Sequence, residues 1–183
     1  MNTIGIDIGI RGGIALVNDA GAAFVMDTPT VERKISGKTK RRVDAVGLSE
    51  ALAGIAVDGV IAFVERAQAS PQMGVSSAFA YGEAFGLVVG VLAQLGVQTR
   101  LVSPVAWKRE MGLMKPGNRE IGRDEEREKD SALELARKLY PQLHASLNLA
   151  KHDGRADALL IAHYGAEILE QESAKPTQKE IEF

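Results

Sequence analysis

The stretch TIGIDIGIRGGIALVNDAGAAFVMD, residues 3–27, contains three short apolar runs that are separated by turn residues. The runs are TIGIDI (3–8), GGIALVN (12–18) and AAFVMD (22–27), and the breaks between them are the tripeptide GIR and the turn sequence NDAG. Short apolar runs joined in this way are typical of neighbouring antiparallel strands. The start of the chain therefore predicts a three-strand antiparallel meander.

The segment after the meander combines a basic stretch, a helix and a strand. The basic stretch RKISGKTKRR (33–42) is expected to be a mobile loop. Asp44 is expected to cap the helix that follows it. The apolar positions of that helix are Val46, Leu48, Leu52 and Ile55. The continuous apolar run GVIAFVE (59–65) is typical of a strand that is covered on both faces.

The remaining elements are mostly helical. They are a long helix at 74–96, a strand at 97–102, a short helix opened by Pro104 and containing Trp107, a mobile loop at 115–123, an amphipathic helix at 124–140 and a helix from 153 to about 170. The apolar side of the amphipathic helix is formed by Leu133, Ala136, Leu139 and Tyr140. The order of these elements predicts an α/β fold, in which a mixed sheet has helices on both faces.

Length and composition bound the architecture. With 183 residues and 45% hydrophobic content, the chain suits one globular domain, expected at residues 1–170, followed by a flexible tail at 171–183. No stretch is expected to reach the roughly 18 apolar residues of a membrane span, and the N-terminus lacks the layout of a signal peptide. We therefore expect no membrane partner. The absence of cysteine fits a reducing cytoplasm.

Three carboxylates interrupt or end apolar segments. Asp7 lies within the first strand, Glu65 ends the later one, and Asp157 lies on the apolar face of the last helix, which is formed by Leu160, Ile161, Tyr164 and Ile168. If the two strands are adjacent and parallel, Asp7 and Glu65 meet at the carboxyl edge of the sheet. The start of the last helix can add Asp153 there. Alternatively, Asp153 caps that helix, Asp157 favours its dipole, and the strand acids bind backbone amides.

Carboxylates that share a dry cleft need cations, because like charges would otherwise force some of them to stay protonated. Mg²⁺ prefers oxygen ligands. A pair of such ions about 4 Å apart activates a water molecule and stabilises the departing oxygen of a phosphodiester. We therefore expect two Mg²⁺ ions at this site, for which Mn²⁺ can substitute.

Five segments, taken in order, resemble the RuvC family of Holliday-junction resolvases, and most closely its phage-type members. They are IGIDIGIRGGIALV, VIAFVERAQ, SPVAWK, EKDSALELARKLYP and HDGRADALLIA, and the resemblance covers about residues 3–165. It implies an RNase H-like fold with a five-stranded mixed sheet flanked by helices. It also implies a metal site formed by Asp7, Glu65, Asp153 and Asp157, and basic residues near the scissile phosphate at Lys108 and Lys129.

The resemblance further implies a crossover junction endodeoxyribonuclease. Such a hydrolase is a homodimer that resolves a four-way DNA junction by paired symmetric nicks, leaving 5′-phosphates, in recombination, repair or phage DNA processing. The expected location is the bacterial cytoplasm, in association with the nucleoid, and the origin can be host, phage or prophage.

The chain departs from the bacterial members of this family at two places. They carry the third metal ligand three residues before the last aspartate, where this chain has Gly154. We therefore expect Asp153 to take that role, with His152 as the weaker candidate. They also carry an aromatic residue after the glutamate, where this chain has Arg66, Ala67 and Gln68. The sequence preference of cleavage therefore stays open.

Three surfaces are predicted to bind partners. The first is the basic stretch, which is expected to bind the junction arms through Arg33, Lys34, Lys38, Lys40, Arg41 and Arg42. The second is an apolar stripe on helix 74–96, which is expected to pack against the same helix of a second copy. The stripe is formed by Val75, Ala78, Phe79, Gly82, Phe85, Gly86 and Val89.

The third surface is the tail, which ends in Gln178, Ile181 and Phe183. This spacing looks like the short peptide by which bacterial replication proteins dock on the sliding clamp. The alternative is an arbitrary end that folds back onto the domain.

Three other functions stay open. The run GIDIGIRGGIALV also resembles the first phosphate motif of actin-like sugar kinases and ATPases. A DNA-binding module that kept the fold without activity is a second alternative, although four acids argue against it. The third is another RNase H-like nuclease that acts on flaps, other branched DNA or RNA–DNA hybrid.

Overall fold

The computed structural model describes residues 1–35, 37–68, 71–114 and 125–174, with the side chains of the last range described from residue 131 onward. The strands are β1 (Thr3–Asp7), β2 (Gly13–Val17), β3 (Ala23–Asp27), β4 (Thr30–Ile35), β5 (Lys38–Val43), β6 (Ile61–Glu65) and β7 (Gln98–Val102). The α-helices are α1 (Ala45–Ala53), α2 (Val75–Gln94), α3 (Pro104–Glu110), α4 (Glu125–Leu139) and α5 (Asp153–Ala174). Two 3₁₀ helices, Pro141–Leu147 and Ala150–His152, connect α4 to α5.

Five of the strands form one mixed sheet in the order β3-β2-β1-β6-β7. The pairs β1–β2 and β2–β3 are antiparallel, so the predicted meander is confirmed. The pairs β1–β6 and β6–β7 are parallel, and α2 forms the helical crossover that a parallel pair requires. The predicted five-stranded mixed sheet is therefore confirmed.

Helices cover the two faces of the sheet and form two cores, because alternate side chains of a strand point to opposite faces. On one face Phe63 packs with residues of α4 and α5. On the other face Ile4 and Ile6 pack with Leu48 of α1 and Val88 of α2.

Helix α5 lies very close to the central strands, and glycine makes this approach possible. A Cβ atom at Gly5 would overlap the backbone of Ala158 and Ala162, and a Cβ atom at Gly13 would overlap the carbonyl oxygen of Gly154. Glycine is the residue that permits such backbone contact. The glycines of the first two strands therefore fix the distance between the sheet and α5.

The basic segment is ordered into a β-hairpin, so the expectation of a mobile loop at 33–42 is wrong. Strands β4 and β5 pair in antiparallel register from Thr30↔Val43 to Ile35↔Lys38. Lysine and arginine have little strand preference of their own, but cross-strand pairing and the burial of Val43 outweigh it.

Two contacts fasten this hairpin to α2. Lys40 Nζ donates a hydrogen bond to Ser76 Oγ at 3.2 Å, and Arg42 Nε lies 3.2 Å from Glu83 Oε2. The hairpin therefore stands beside the N-terminal half of α2.

Two side chains expected in the core are exposed. Val46 is 67% exposed because it lies in the first turn of α1, directly after the Asp44 cap, with no earlier turn to cover it. Leu139, the last residue of α4, is 39% exposed. The other expected core positions of this segment, namely Leu133, Ala136 and Tyr140, are buried.

The predicted tail at 171–183 and the predicted loop at 115–123 are described only in part or not at all. Helix α5 continues to Ala174, so residues 171–174 of the expected tail are helical. Residues 175–183, which include Gln178, Ile181 and Phe183, lie outside the described residues, as does the loop expected at 115–123.

Helix α2 is long and apolar enough to cross a membrane by length and composition alone, so the expectation that no stretch reaches this limit is wrong. In the fold, its residues Ala84, Val88 and Leu92 are buried against the sheet core. The opposite face is apolar and exposed: Val75 is 87% exposed and Phe79 is 73% exposed.

Candidate active site

Asp7 and Glu65 end neighbouring parallel strands. Asp7 is the last residue of β1 and Glu65 is the last residue of β6, directly after the paired residues Ile6 and Val64. Glu65 is close enough to Asp7 to raise the pKa of Asp7. The predicted meeting of these two acids at the carboxyl edge of the sheet is confirmed.

Helix α5 brings the other two acids to the same edge. Its first turn is held against the β1–β2 turn by a parallel bridge between Gly12 and Gly154. Asp153 and Asp157 lie on either side of this contact and line the same cleft as Asp7. Asp157 is close enough to Asp7 to interact with it electrostatically.

Gly154 also explains why the third acid is shifted in the sequence. A Cβ atom at this position would overlap the carbonyl oxygen of Arg11 and the backbone of Gly12. No side chain fits there unless the β1–β2 turn moves. An acidic residue can therefore stand at Asp153 but not at position 154.

The electrostatics of the cleft centre on Asp7. Burial, followed by the nearby carboxylates of Asp157 and Glu65 and the hydrogen bond with Glu65, raises the pKa of Asp7 well above its ordinary value. Lys108 opposes this effect and lowers the pKa of Asp7. Burial, together with the carboxylates of Glu65 and Asp7, raises the pKa of Tyr81 to about 12. The site thus concentrates negative charge, which Lys108 partly offsets at Asp7.

The carboxylates fit a hard divalent cation by their chemistry. All four side chains offer oxygen atoms, and the repulsion that raises the pKa of Asp7 is the kind that a divalent cation relieves. As the side chains stand, however, no group of three or more acidic or histidine residues within the described ranges is close enough to enclose an ion.

The two predicted lysines have different outcomes. Lys108 of α3 lies near Asp7, and its Nζ is 5.4 Å from the ring centroid of Trp107. Lys129 lies on α4, but its side chain is outside the described part of the chain. Its placement near the scissile phosphate stays a prediction.

His152 does not line the cleft that Asp7, Asp153 and Asp157 share. It is buried, and its Nδ1 accepts a hydrogen bond from the Leu149 amide at 3.3 Å. Burial and the nearby Arg155 lower the pKa of His152. Arg155 is itself held by Asp27 through two hydrogen bonds of 2.6 and 2.7 Å. His152 therefore belongs to this neighbouring polar group.

Sequence reasoning missed one residue of the site. The sequence places Trp107 in a short helix without a role at the site; its side chain is buried in the core, and its Nε1 donates a hydrogen bond to Glu65 Oε1 at 3.2 Å. The signal in the sequence was its place in a short helix that directly follows the strand beside β6.

The cleft has a volume of about 780 Å³, and its walls differ in charge. Asp7, Asp153 and Asp157 come from the sheet and α5, whereas Lys40, Arg41 and Arg42 come from the hairpin. The other three predicted DNA-binding cations, Arg33, Lys34 and Lys38, lie on the same hairpin and are exposed. The cleft can therefore hold an anion against the basic wall while the acids face it.

No protein-family model matches the sequence, and no curated protein matches it. Solved structures do. The structure described as Thermus thermophilus RuvC in complex with a Holliday junction substrate aligns with a TM-score of 0.57 and 18% identity, over 96% of this chain and 99% of that chain. A second Thermus thermophilus RuvC structure aligns with a TM-score of 0.52 and 20% identity over the same shares.

The chain has the RuvC fold. The resemblance read from the sequence is therefore confirmed at the level of the fold, and so is the RNase H-like architecture. Within this RuvC fold, the acids of β1, β6 and α5 share one edge of the sheet.

Proposed function

We propose that this protein is a divalent-metal-dependent endonuclease that resolves four-way DNA junctions. The observation that carries the proposal is the cleft itself. Carboxylates from β1 and α5 and cations from the hairpin line one cleft, beside Glu65 at the end of β6, in a chain with the RuvC fold. A phosphodiester needs both features, because its charge must be held while one of its bonds is hydrolysed.

Asp7, Glu65, Asp153 and Asp157 would hold the metal, which we propose to be two Mg²⁺ ions with Mn²⁺ as a substitute. When bound, such ions lower the pKa of a water molecule and stabilise the departing oxygen. The carboxylates themselves fix the position of the site on the sheet edge.

The cations of the chain would hold the substrate. Lys108 lies beside the acids and would contact the scissile phosphate, and Lys129 is predicted to do the same. Lys40, Arg41 and Arg42 would bind the phosphates of the strand that enters the cleft. Arg33, Lys34 and Lys38, further along the hairpin, would bind a junction arm through the release of counterions.

A homodimer would provide two active sites for paired symmetric nicks. Val75 and Phe79 of α2 are exposed to an extent that is unusual for large apolar side chains, and Gly82 and Gly86 continue the same exposed face. Small residues on such a face let two helices approach closely. We propose that the α2 helices of two copies pack through this face on a two-fold axis.

The biological setting is likewise proposed. Nicks that leave 5′-phosphates would serve recombination, repair or phage DNA processing in the bacterial cytoplasm. Docking on the sliding clamp through Gln178, Ile181 and Phe183 stays a prediction, because these residues lie outside the described part of the chain.

A substrate panel tests the proposal against the closest alternative, another RNase H-like nuclease. The purified protein is incubated with Mg²⁺ and a four-way junction, a Y-fork, a duplex or an RNA–DNA hybrid. We expect the junction to be cut and the others to stay intact. Preferential cutting of the hybrid or the fork would favour the alternative. The Asp157→Asn variant is the control for a contaminating nuclease and should cut none of them.

A further inference from the structure

Trp107 is the single tryptophan of the chain, and its side chain is completely buried. It packs in the core formed by the sheet with α4 and α5, near Leu133 and Ala136. The indole N–H can only donate a hydrogen bond, and a buried donor requires an acceptor. Its acceptor is Oε1 of Glu65, at 3.2 Å. One edge of a core side chain thus reaches into the cluster of acids.

The backbone around this contact is fixed on both sides. Glu65 is paired with Val102 in the parallel register, and the Arg66 amide donates to the Val102 carbonyl oxygen at 2.7 Å. Helix α3 then begins at once, because Ser103 Oγ accepts a hydrogen bond from the Ala106 amide at 3.1 Å. The chain therefore turns back directly after β7, and this turn places Trp107 over the end of β6.

We propose that Trp107 is a positioning residue that holds Glu65 in the orientation needed to bind a divalent cation. The N–H binds Oε1, and Oε2 is the oxygen that would take the cation. A glutamate side chain that rotates freely loses conformational entropy when it binds a metal, whereas a side chain that is already held loses less. Outer partners of metal-binding residues typically change metal affinity by 10- to 100-fold when they are removed. The proposal rests on the proposed function, since Glu65 must bind metal.

The experiment deletes the N–H while it keeps the ring. Because the chain has a single tryptophan, a tryptophan-auxotrophic strain can replace it throughout with β-(3-benzothienyl)alanine, in which sulfur replaces the N–H. The matched control is 5-fluorotryptophan, which keeps the N–H and is introduced by the same route. Binding of Mg²⁺ and of Mn²⁺ is measured by calorimetry on the full chain without DNA.

We expect the benzothienyl protein to bind metal about 10- to 100-fold more weakly, and the fluorinated protein to match the natural one. Equal affinities in all three proteins would overturn the proposal and leave the proposed function intact. A natural protein that binds no metal would overturn both.

A second measurement uses the natural side chain and does not depend on folding of the benzothienyl protein. The single indole ¹H–¹⁵N signal should move when Glu65→Gln weakens its acceptor. It should move during a Mg²⁺ titration of the natural chain but not of Glu65→Gln. An indole signal that does not move with Glu65→Gln or with Mg²⁺ would show that Trp107 only fills the core.

Discussion

Asp7→Asn is predicted to stabilise the metal-free protein while it removes the response to metal. Asp7 carries the cost of a buried charge and of repulsion from Asp157 and Glu65. Asparagine keeps the shape and removes the charge. We expect the free energy of unfolding at pH 8 to rise by about 1–3 kcal/mol, which corresponds to a melting temperature roughly 2–10 °C higher for a domain of this size.

The pH dependence gives the sign of this effect. The pKa of Asp7 is raised in the folded protein, whereas the pKa of an aspartate in the unfolded chain is about 3.9. Below that pH both states hold the proton, and the natural protein loses nothing. As the pH rises, the unfolded chain releases its proton first, so the folded natural protein loses stability until the pH passes its raised pKa. The advantage of Asp7→Asn should therefore be small at pH 4 and largest at pH 8.

Metal should offset the stability difference between the two proteins. A ligand at 100 times its dissociation constant stabilises the protein that binds it by about 2.7 kcal/mol. We expect Mg²⁺ to raise the melting temperature of the natural protein and not that of Asp7→Asn. Differential scanning calorimetry with and without Mg²⁺ measures both effects.

The control for this experiment is Asp44→Asn. Asp44 caps α1 away from the acids, and asparagine caps a helix about as well as aspartate. This variant should respond to Mg²⁺ as the natural protein does. A metal-free Asp7→Asn protein that melts lower than the natural protein at pH 8 would refute the repulsion argument.

Three further predictions concern the substrate, the assembly and the fold. Replacing Lys38, Lys40, Arg41 and Arg42 by alanine should reduce the slope of log affinity for junction DNA against log salt concentration, by about 0.9 for each lost contact to a duplex phosphate. An unchanged slope would mean that the hairpin does not contact phosphate. Phe79→Asp, at a side chain that is 73% exposed, should convert a dimer into a monomer in sedimentation, whereas Val57→Asp, at a position that is 48% exposed on another surface, should not. A natural protein that sediments as a monomer at micromolar concentration would exclude the dimer. Gly5→Ala should lower the free energy of unfolding by about 3 kcal/mol or more, because the added Cβ would overlap the α5 backbone. At Gly90 an added Cβ meets open space, so Gly90→Ala should raise the free energy of unfolding by roughly 0.5–1 kcal/mol. Equal stabilities of the two variants in denaturant melts would contradict the close packing of α5.

The sequence was sufficient for the parts of the fold that follow from local patterns. Apolar runs and turns located β1, β2 and β3, and the acids at strand ends were visible because aspartate and glutamate are rare within apolar strands. The parallel pairing of β1 with β6 was a condition for the meeting of Asp7 and Glu65, and the structure meets it. The strands and the acids themselves were visible from residues that are close together in the chain.

Tertiary contacts account for what could not be predicted. The hairpin of β4 and β5 was hidden because its pairing outweighs the poor strand preference of its cations. The bond from Trp107 to Glu65 joins residues 42 positions apart, and the place of Trp107 in the short helix after β7 does not by itself identify its partner. His152 is adjacent to Asp153 in sequence, yet it faces Asp27 and Arg155 because α5 begins between them.

Mapping of the nicks in a four-way junction tests the central claim most directly. A junction with a mobile core is labelled at the 5′ end of each strand in turn, incubated with Mg²⁺ and the purified protein, and analysed on a denaturing gel. We predict cuts at symmetric positions in two opposing strands and products that DNA ligase can seal without further treatment, because the ends carry 5′-phosphates. Cuts in single strands without symmetry, or a junction left intact at any Mg²⁺ concentration, would contradict the assignment.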